Sequence, residues 1–168
     1  MEATSENARF FRDVLGHCST AVTVITAPAD AAGFPGMTVG SFLSVSLDPP
    51  LVAFLPAKSS GTWPRIERTG RFCANILAHD QIDHCTAFFS RDATDRFAGI
   101  DFRLSITGAP ILTDCLAWTD CAIEAVHEAG DHWMVIGRVT DLAVERSGDP
   151  LLFYQGRYRE LSPHPEDR

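Results

Sequence analysis

The sequence has 168 residues, of which 45% are hydrophobic and 21% charged. That balance fits one folded domain over residues 1–168, with its core between Arg9 and Leu161, and excludes a wholly disordered chain. The formal net charge of −8 argues against a nucleic-acid surface, which needs excess Lys and Arg to displace counterions.

No apolar run approaches the roughly 20 residues that span a membrane. The opening Met1–Asn7 is polar and acidic, and does not read as a signal peptide. The five cysteines, Cys18, Cys73, Cys85, Cys115 and Cys121, are odd in number and contain no C-x-x-C pair. They read as buried free thiols of a cytoplasmic protein, and no Cys/His group has zinc-ligand spacing.

Phe10, Phe11, Val14, Leu15 and Cys18 recur at helical spacing, which predicts an amphipathic helix near residues 6–17. Ser19–Ala27 is β-branched and apolar, and predicts a buried strand. After a turn-rich stretch, Met37–Ser46 predicts a second strand, ended by Asp48-Pro49-Pro50. Leu51–Leu55 completes an expected antiparallel meander. Thr62–Thr69 predicts a helix with Pro64 in its first turn. Phe72–Leu77 predicts a strand, Asp80–Phe89 a helix and Asp92–Phe97 a short helix, while Ile100–Leu112 reads as irregular. Leu116–His127 and Trp133–Val144 are two long strands joined through Glu128-Ala129-Gly130-Asp131, and Leu151–Tyr154 is the last strand. Many antiparallel strands with few helices leave two architectures open, a barrel or a sandwich.

Four segments carry possible chemistry. If Gly36–Ser46 is one strand, Thr38, Gly40, Ser44 and Ser46 share a face small enough for a flat ligand to reach the backbone. The alternative is a polar face turned to solvent. Lys58-Ser59-Ser60-Gly61-Thr62 follows a strand and precedes a helix, and combines hydroxyls, a flexible glycine and the chain's only lysine. That chemistry suits a phosphate, although Ser60 or Thr62 would equally serve as a helix cap. Arg91, in Phe89-Ser90-Arg91-Asp92, either reaches the same anion or pairs with Asp92 or Asp95. His132, in Gly130-Asp131-His132, either positions a nicotinamide or is an ordinary turn histidine. A hydrolase has no support, since no G-x-S-x-G elbow is present, and no metal site is expected.

In their shared order, these segments resemble the flavin reductase-like family of FMN-binding split barrels, which supply the reductase component of two-component flavin-dependent monooxygenases. The resemblance runs from Phe10 to Leu161. It rests on Phe11-Arg12-Asp13-Val14-Leu15-Gly16, Thr20–Thr26, Gly36–Phe42 and Ser44–Val52. It continues through Lys58–Trp63, Phe72–Leu77, Gly130-Asp131-His132 and Pro150–Tyr158. The resemblance implies a mainly β, antiparallel split β-barrel with peripheral helices, forming a homodimer with flavin near its interface. It implies that Thr38, Val39, Gly40 and Ser41 line the isoalloxazine ring, with Ser46 on the same segment. Lys58, Ser59, Ser60 and Thr62 would hold the ribityl phosphate, with Asn75, Ser90 and Arg91 nearby. His132 would lie on the nicotinamide side, and Gly156 and Tyr158 in the segment that closes the pocket.

The implied activity is hydride transfer from NADH or NADPH to FMN or FAD, followed by release of reduced flavin to a partner monooxygenase. The cofactor carries that chemistry, so His132 is expected to position and not to catalyse. Three rival readings are a same-fold enzyme that keeps its flavin and reduces another substrate such as a cobalt corrinoid, a non-catalytic flavin-binding or sensing module, and a barrel with no ligand.

Overall fold

The computed structural model describes residues 4–89 and 96–162. The first helix, α1 (Ser5–Leu15), starts where the Thr4 hydroxyl accepts the Asn7 amide at 3.2 Å. Its apolar stripe of Phe10, Phe11, Val14 and Leu15 is exposed, and no residue of the helix is buried. Beyond it come β1 (Thr20–Ala21), β2 (Thr23–Thr26), β3 (Gly36–Val39), β4 (Leu43–Leu47) and β5 (Pro50–Phe54). Helix α2 (Trp63–Thr69), β6 (Arg71–Ile76), α3 (Ile82–Phe89), β7 (Phe102–Leu104) and β8 (Pro110–Leu112) follow. The chain continues with the long pair β9 (Ala117–Ala129) and β10 (His132–Val144), then β11 (Leu152–Tyr154) and β12 (Arg157–Arg159).

Seven strands form one antiparallel sheet in the order β3-β2-β6-β9-β10-β5-β4. Its edge strands, β3 and β4, are consecutive in the chain and separated only by residues 40–42. A flat seven-stranded sheet would hold its edges about 29 Å apart at about 4.8 Å per step. Four Cα steps reach at most about 15 Å. The sheet therefore curls until its two edges approach, but β3 and β4 do not pair. Antiparallel, mainly β architecture with peripheral helices is present, and the curled sheet is not closed by a ladder.

This arrangement corrects three expectations. The single strand over Met37–Ser46 is two strands on opposite edges of the sheet, so Thr38 and Gly40 do not share a strand face with Ser44 and Ser46. The meander fails at the same point, because β3 pairs with β2 and β4 with β5. Residues 100–112 hold a β7–β8 hairpin. The expected helix over Asp92–Phe97 falls mostly outside the described residues.

The strand expected over Ser19–Ala27 breaks at Val22. Its amide donates to the Leu151 carbonyl at 2.8 Å, and its carbonyl accepts the Leu77 amide at 3.1 Å. This leaves β1 to pair with β11 in a small β1-β11-β12 sheet while β2 stays in the large one. Both faces of β2 are covered, which explains its continuous apolar pattern. Ile25 joins a core inside the curl with Phe54, Trp63, Phe72 and Val135. Val24 faces a second cluster with Leu77, Cys85, Phe88 and Leu112 beneath α3. A third cluster, Cys73, Ile111, Cys115 and Trp118, seats the β7–β8 hairpin.

Candidate functional site

A cavity of about 930 Å³ opens between the 28–36 loop, β3, the 57–62 loop and the C-terminal end of α3. Such a volume lies near the top of the roughly 300–1,000 Å³ that small-ligand sites occupy. Its polar side is built by Thr38, Ser59, Ser60, Thr62, Arg65 and Arg96. Its apolar side is aromatic. Phe34, Phe97 and Phe102 meet with ring centroids 5.2–5.8 Å apart, and Phe88 meets Phe97 at 4.8 Å.

Two arginines cross-tie the walls. Arg65, on α2, clasps Asp30 with Nε and Nη2 at 2.7 Å each and donates to the Gly33 carbonyl at 2.9 Å. This bond draws the Asp30 carboxyl from its ordinary 3.8 down to about 2. Arg96 donates through Nη1 to the Gly36 carbonyl at 2.7 Å and to the Thr62 hydroxyl at 2.9 Å. Gly36 is glycine for a steric reason: a Cβ there would lie 2.6 Å from the Phe88 ring. Burial, and after it the charge of Arg65, lowers the pKa of Arg96 from its ordinary value. Among the described residues Arg96 makes no ion pair. A half-buried guanidinium that faces a cavity and meets only neutral acceptors fits an anionic ligand group such as a phosphate.

Four of the residues expected from sequence converge here: Thr38, Ser59, Ser60 and Thr62. Thr38 donates its hydroxyl to the Cys85 carbonyl at 3.1 Å, which ties β3 to α3. Ser60 accepts the Thr62 and Trp63 amides at 3.2 Å each and thereby opens α2. Thr62 makes no capping bond and instead accepts from Arg96.

Other expected residues lie elsewhere. Val39 is a core residue. Gly40 packs against Thr20, and Ser41 accepts the Leu55 amide at 2.9 Å in the link between the sheet edges. Ser46 sits opposite Leu51 on the far edge strand. Lys58 turns away from its hydroxyl neighbours: Nζ meets Glu128 Oε2 at 3.3 Å and stands 4.8 Å from the Trp133 ring centre. Asn75 is fully buried, its amide donating to the Val24 and Pro110 carbonyls and the Thr26 hydroxyl, its oxygen accepting the Leu112 amide at 2.8 Å. It bonds the hairpin to the sheet and does not face the cavity.

His132 begins β10 and bridges to Ala57, beside the cavity loop. Its Nδ1–H donates to Asp131 Oδ1 at 2.7 Å. Gly156 forms the β11–β12 turn, and Tyr158 on β12 places its hydroxyl 3.1 Å from Cys85 Sγ. Tyr158 thus touches Cys85, whose carbonyl accepts from the cavity residue Thr38. Ser90 and Arg91 lie outside the described residues.

The residues that sequence reasoning missed are the two arginines and the aromatic wall. Arg96 lies in Asp92-Ala93-Thr94-Asp95-Arg96-Phe97, where flanking acids suggest a surface ion pair. The available signal was the phenylalanine on its C-terminal side, Phe97, which is a core residue at 9% exposure.

A family model described as the flavin reductase like domain matches residues 15–162. This chain belongs to the flavin reductase-like family. The reductase subunit HsaB of a flavin-dependent monooxygenase from Rhodococcus jostii (strain RHA1) is 49% identical over 162 residues. That match covers 96% of this chain and 82% of the relative. Among solved structures, nitrilotriacetate monooxygenase component B from Mycobacterium thermoresistibile superposes with a TM-score of 0.91 at 44% identity, covering 98% of this chain and 90% of that one. The NADH:FAD oxidoreductase SgcE6 of Streptomyces globisporus C-1027, in complex with NAD and FAD fragments, gives a TM-score of 0.89 at 31% identity, covering 98% and 99%. The flavin reductase fold thus extends over nearly the whole chain, and the 930 Å³ cavity lies within the matched region.

Proposed function

We propose that this chain is an NAD(P)H-dependent flavin reductase that supplies reduced FMN or FAD to a partner monooxygenase. One observation carries the placement of its site: Arg96 faces the large cavity among hydroxyls, without a carboxylate partner among the described residues. Flavin, when bound, supplies hydride chemistry that no side chain here provides. The protein's share is binding and orientation. Arg96 and the Ser59, Ser60 and Thr62 hydroxyls hold the phosphate, and Thr38 and the 36–38 backbone border the ring. His132, held by Asp131, stands on the nicotinamide side as a positioning residue.

An open cavity of this kind suits release of the reduced product better than a sealed one. A homodimer is part of the same proposal. It is supported by the exposed stripe of α1 and by the outward row Leu43, Val45 and Leu47 on edge strand β4, of which Leu47 is 91% exposed. The free thiols fit a reducing cytoplasm. No described helix is long and apolar enough to cross a membrane.

The decisive experiment follows NADH oxidation by its near-ultraviolet absorbance, with and without added FMN or FAD. Saturable oxidation that depends on added flavin is the expected result. Flavin that stays bound while NADH and NADPH remain untouched would replace this reading with a flavin-binding module.

A further inference from the structure

The hydroxyl loop of the cavity is fastened to the tip of the β9–β10 hairpin. Ala57 bridges to His132, the Lys58 amide donates to the Asp131 carbonyl at 2.9 Å, and the Trp133 amide donates to the Pro56 carbonyl at 2.9 Å. Ala57, Ser59 and Ser60 line the cavity, so residues 56–58 join the cavity wall to the strand end that carries His132. These backbone bonds sit at an exposed turn. Gly130 is in the left-handed region at φ 63°, and the Asp131 side chain is 94% exposed. A turn so placed opens readily unless side chains hold it.

Lys58 supplies that hold. Its ammonium meets Glu128 Oε2 at 3.3 Å and stands 4.8 Å from the centre of the Trp133 ring. Glu128 and Trp133 are directly opposite each other in the β9–β10 register, so one cation grips both strands of the hairpin at a single cross-strand pair. Trp133 packs against the core inside the curl, which gives the grip a fixed base. The Asp131 carboxyl lies below its ordinary value, first because of its bond to His132 and in smaller part because of the Lys58 charge. The field of the lysine thus reaches the pair that orients His132.

We infer that Lys58 is a positioning residue for the nicotinamide donor: it fixes the hairpin tip on the cavity loop and so sets where His132 stands relative to bound flavin. This inference rests on the flavin reductase reading and its nicotinamide-side His132. It assigns the chain's only lysine to the hydride donor and not to the flavin phosphate.

The test uses Lys58→Met, which keeps the aliphatic stem and removes the charge, Lys58→Arg, which keeps both contacts of the cation, and His132→Ala. Flavin binding is measured first, without turnover, from the quenching of FMN and of riboflavin fluorescence. Lys58→Met is expected to bind both within about two-fold of wild type, at an unchanged melting temperature. The amides of residue 58 and Trp133 are expected to exchange hydrogen faster in Lys58→Met, because the junction opens more often.

In steady state at saturating FMN, Lys58→Met is expected to raise the KM for NAD(P)H about five-fold, as the joint loss of one partly exposed ion pair and one cation–π contact. Lys58→Arg restores it, and kcat stays nearly unchanged. In a His132→Ala background Lys58→Met adds nothing further, the mark of two residues acting as a unit. Weaker binding of FMN with riboflavin unaffected would place Lys58 on the phosphate and overturn the inference. An unchanged KM for NAD(P)H, or an equal rise with and without His132, would overturn it too. So would a lower melting temperature with weaker binding of every ligand, which marks a merely structural lysine. In each of these cases the wild type still reduces flavin and the reductase reading stands. A wild type that binds flavin but oxidises neither NADH nor NADPH overturns that reading, and the inference falls with it.

Discussion

Arg65 holds both oxygens of Asp30, Nε to Oδ2 and Nη2 to Oδ1, at 2.7 Å each. The bond fastens the 28–36 loop, which forms one wall of the cavity, to α2, whose entry loop forms another. Lysine cannot reproduce the fork. Arg65→Lys is therefore expected to raise the flavin KM by roughly three-fold with little change in kcat, since the wall loosens while the reacting groups stay in place. A kcat loss with unchanged KM would contradict this. The sign of the pH dependence follows from Asp30, whose folded carboxyl titrates near about 2 against an ordinary 3.8. A lowered pKa stabilises the fold above the ordinary value and loses that contribution as pH falls through the folded one. The stability difference between wild type and Arg65→Lys should be constant above about pH 5, shrink as pH falls towards about 2, and vanish only below both values, near about pH 1.

The backbone of β10 approaches a core ring as closely as a glycine allows. A Cβ at Gly137 would lie 2.4 Å from Phe72 Cζ and 3.2 Å from Cys121 Cβ, at the register shift between Ile136 and Gly137. Phe72 is fully buried against Phe54, so the ring has nowhere to retreat. Gly137→Ala is expected to destabilise the fold by about 1–3 kcal/mol, read from urea unfolding. An unchanged urea midpoint would show that the strand can shift away.

Much of this fold could be read from local pattern, and its failures share one cause. The helices and the β9–β10 hairpin announce themselves through periodicity and turn residues. Gly36–Ser46 does not, because its alternation continues through residues 40–42, where the chain crosses from one sheet edge to the other. Only the curl of the whole sheet imposes that crossing, through contacts such as Ser41 with Leu55. The hydroxyl cluster was legible because Ser59, Ser60 and Thr62 are adjacent in sequence. Arg65 and Arg96 were not, since they reach the same cavity from α2 and from the segment after α3. The neighbours of Lys58 were hidden for a related reason: Glu128 and Trp133, which its ammonium meets, are distant in sequence.

Asn75 separates a structural from a ligand role. Its oxygen accepts the Leu112 amide, and both residues are fully buried. Asn75→Ala leaves that amide without a partner, at a cost of about 1–3 kcal/mol. The flavin KM, measured where the variant is still folded, should stay within roughly two-fold of wild type. A large KM rise at unchanged stability would return Asn75 to the flavin site.

The thiols provide a test of the packing as a whole. Cys18 is exposed, whereas Cys73, Cys85, Cys115 and Cys121 are buried. Burial raises the thiol pKa of Cys73 and pushes those of Cys115 and Cys121 up to about 12. The thiolate is the reactive form, so both access and ionisation protect these groups. Cys85 shares a polar contact with Tyr158, which fastens β12 over α3 and pushes the tyrosine pKa up to about 12. An aromatic disulfide reagent should therefore modify one thiol of the native protein and all five after denaturation. Cys18→Ser should reduce the native count to zero. If Tyr158→Phe then exposes a second slowly reacting thiol, β12 guards α3 through that contact. Rapid reaction of two or more thiols in the wild type would mean that the clusters beneath α3 and the hairpin open far more readily than their burial implies.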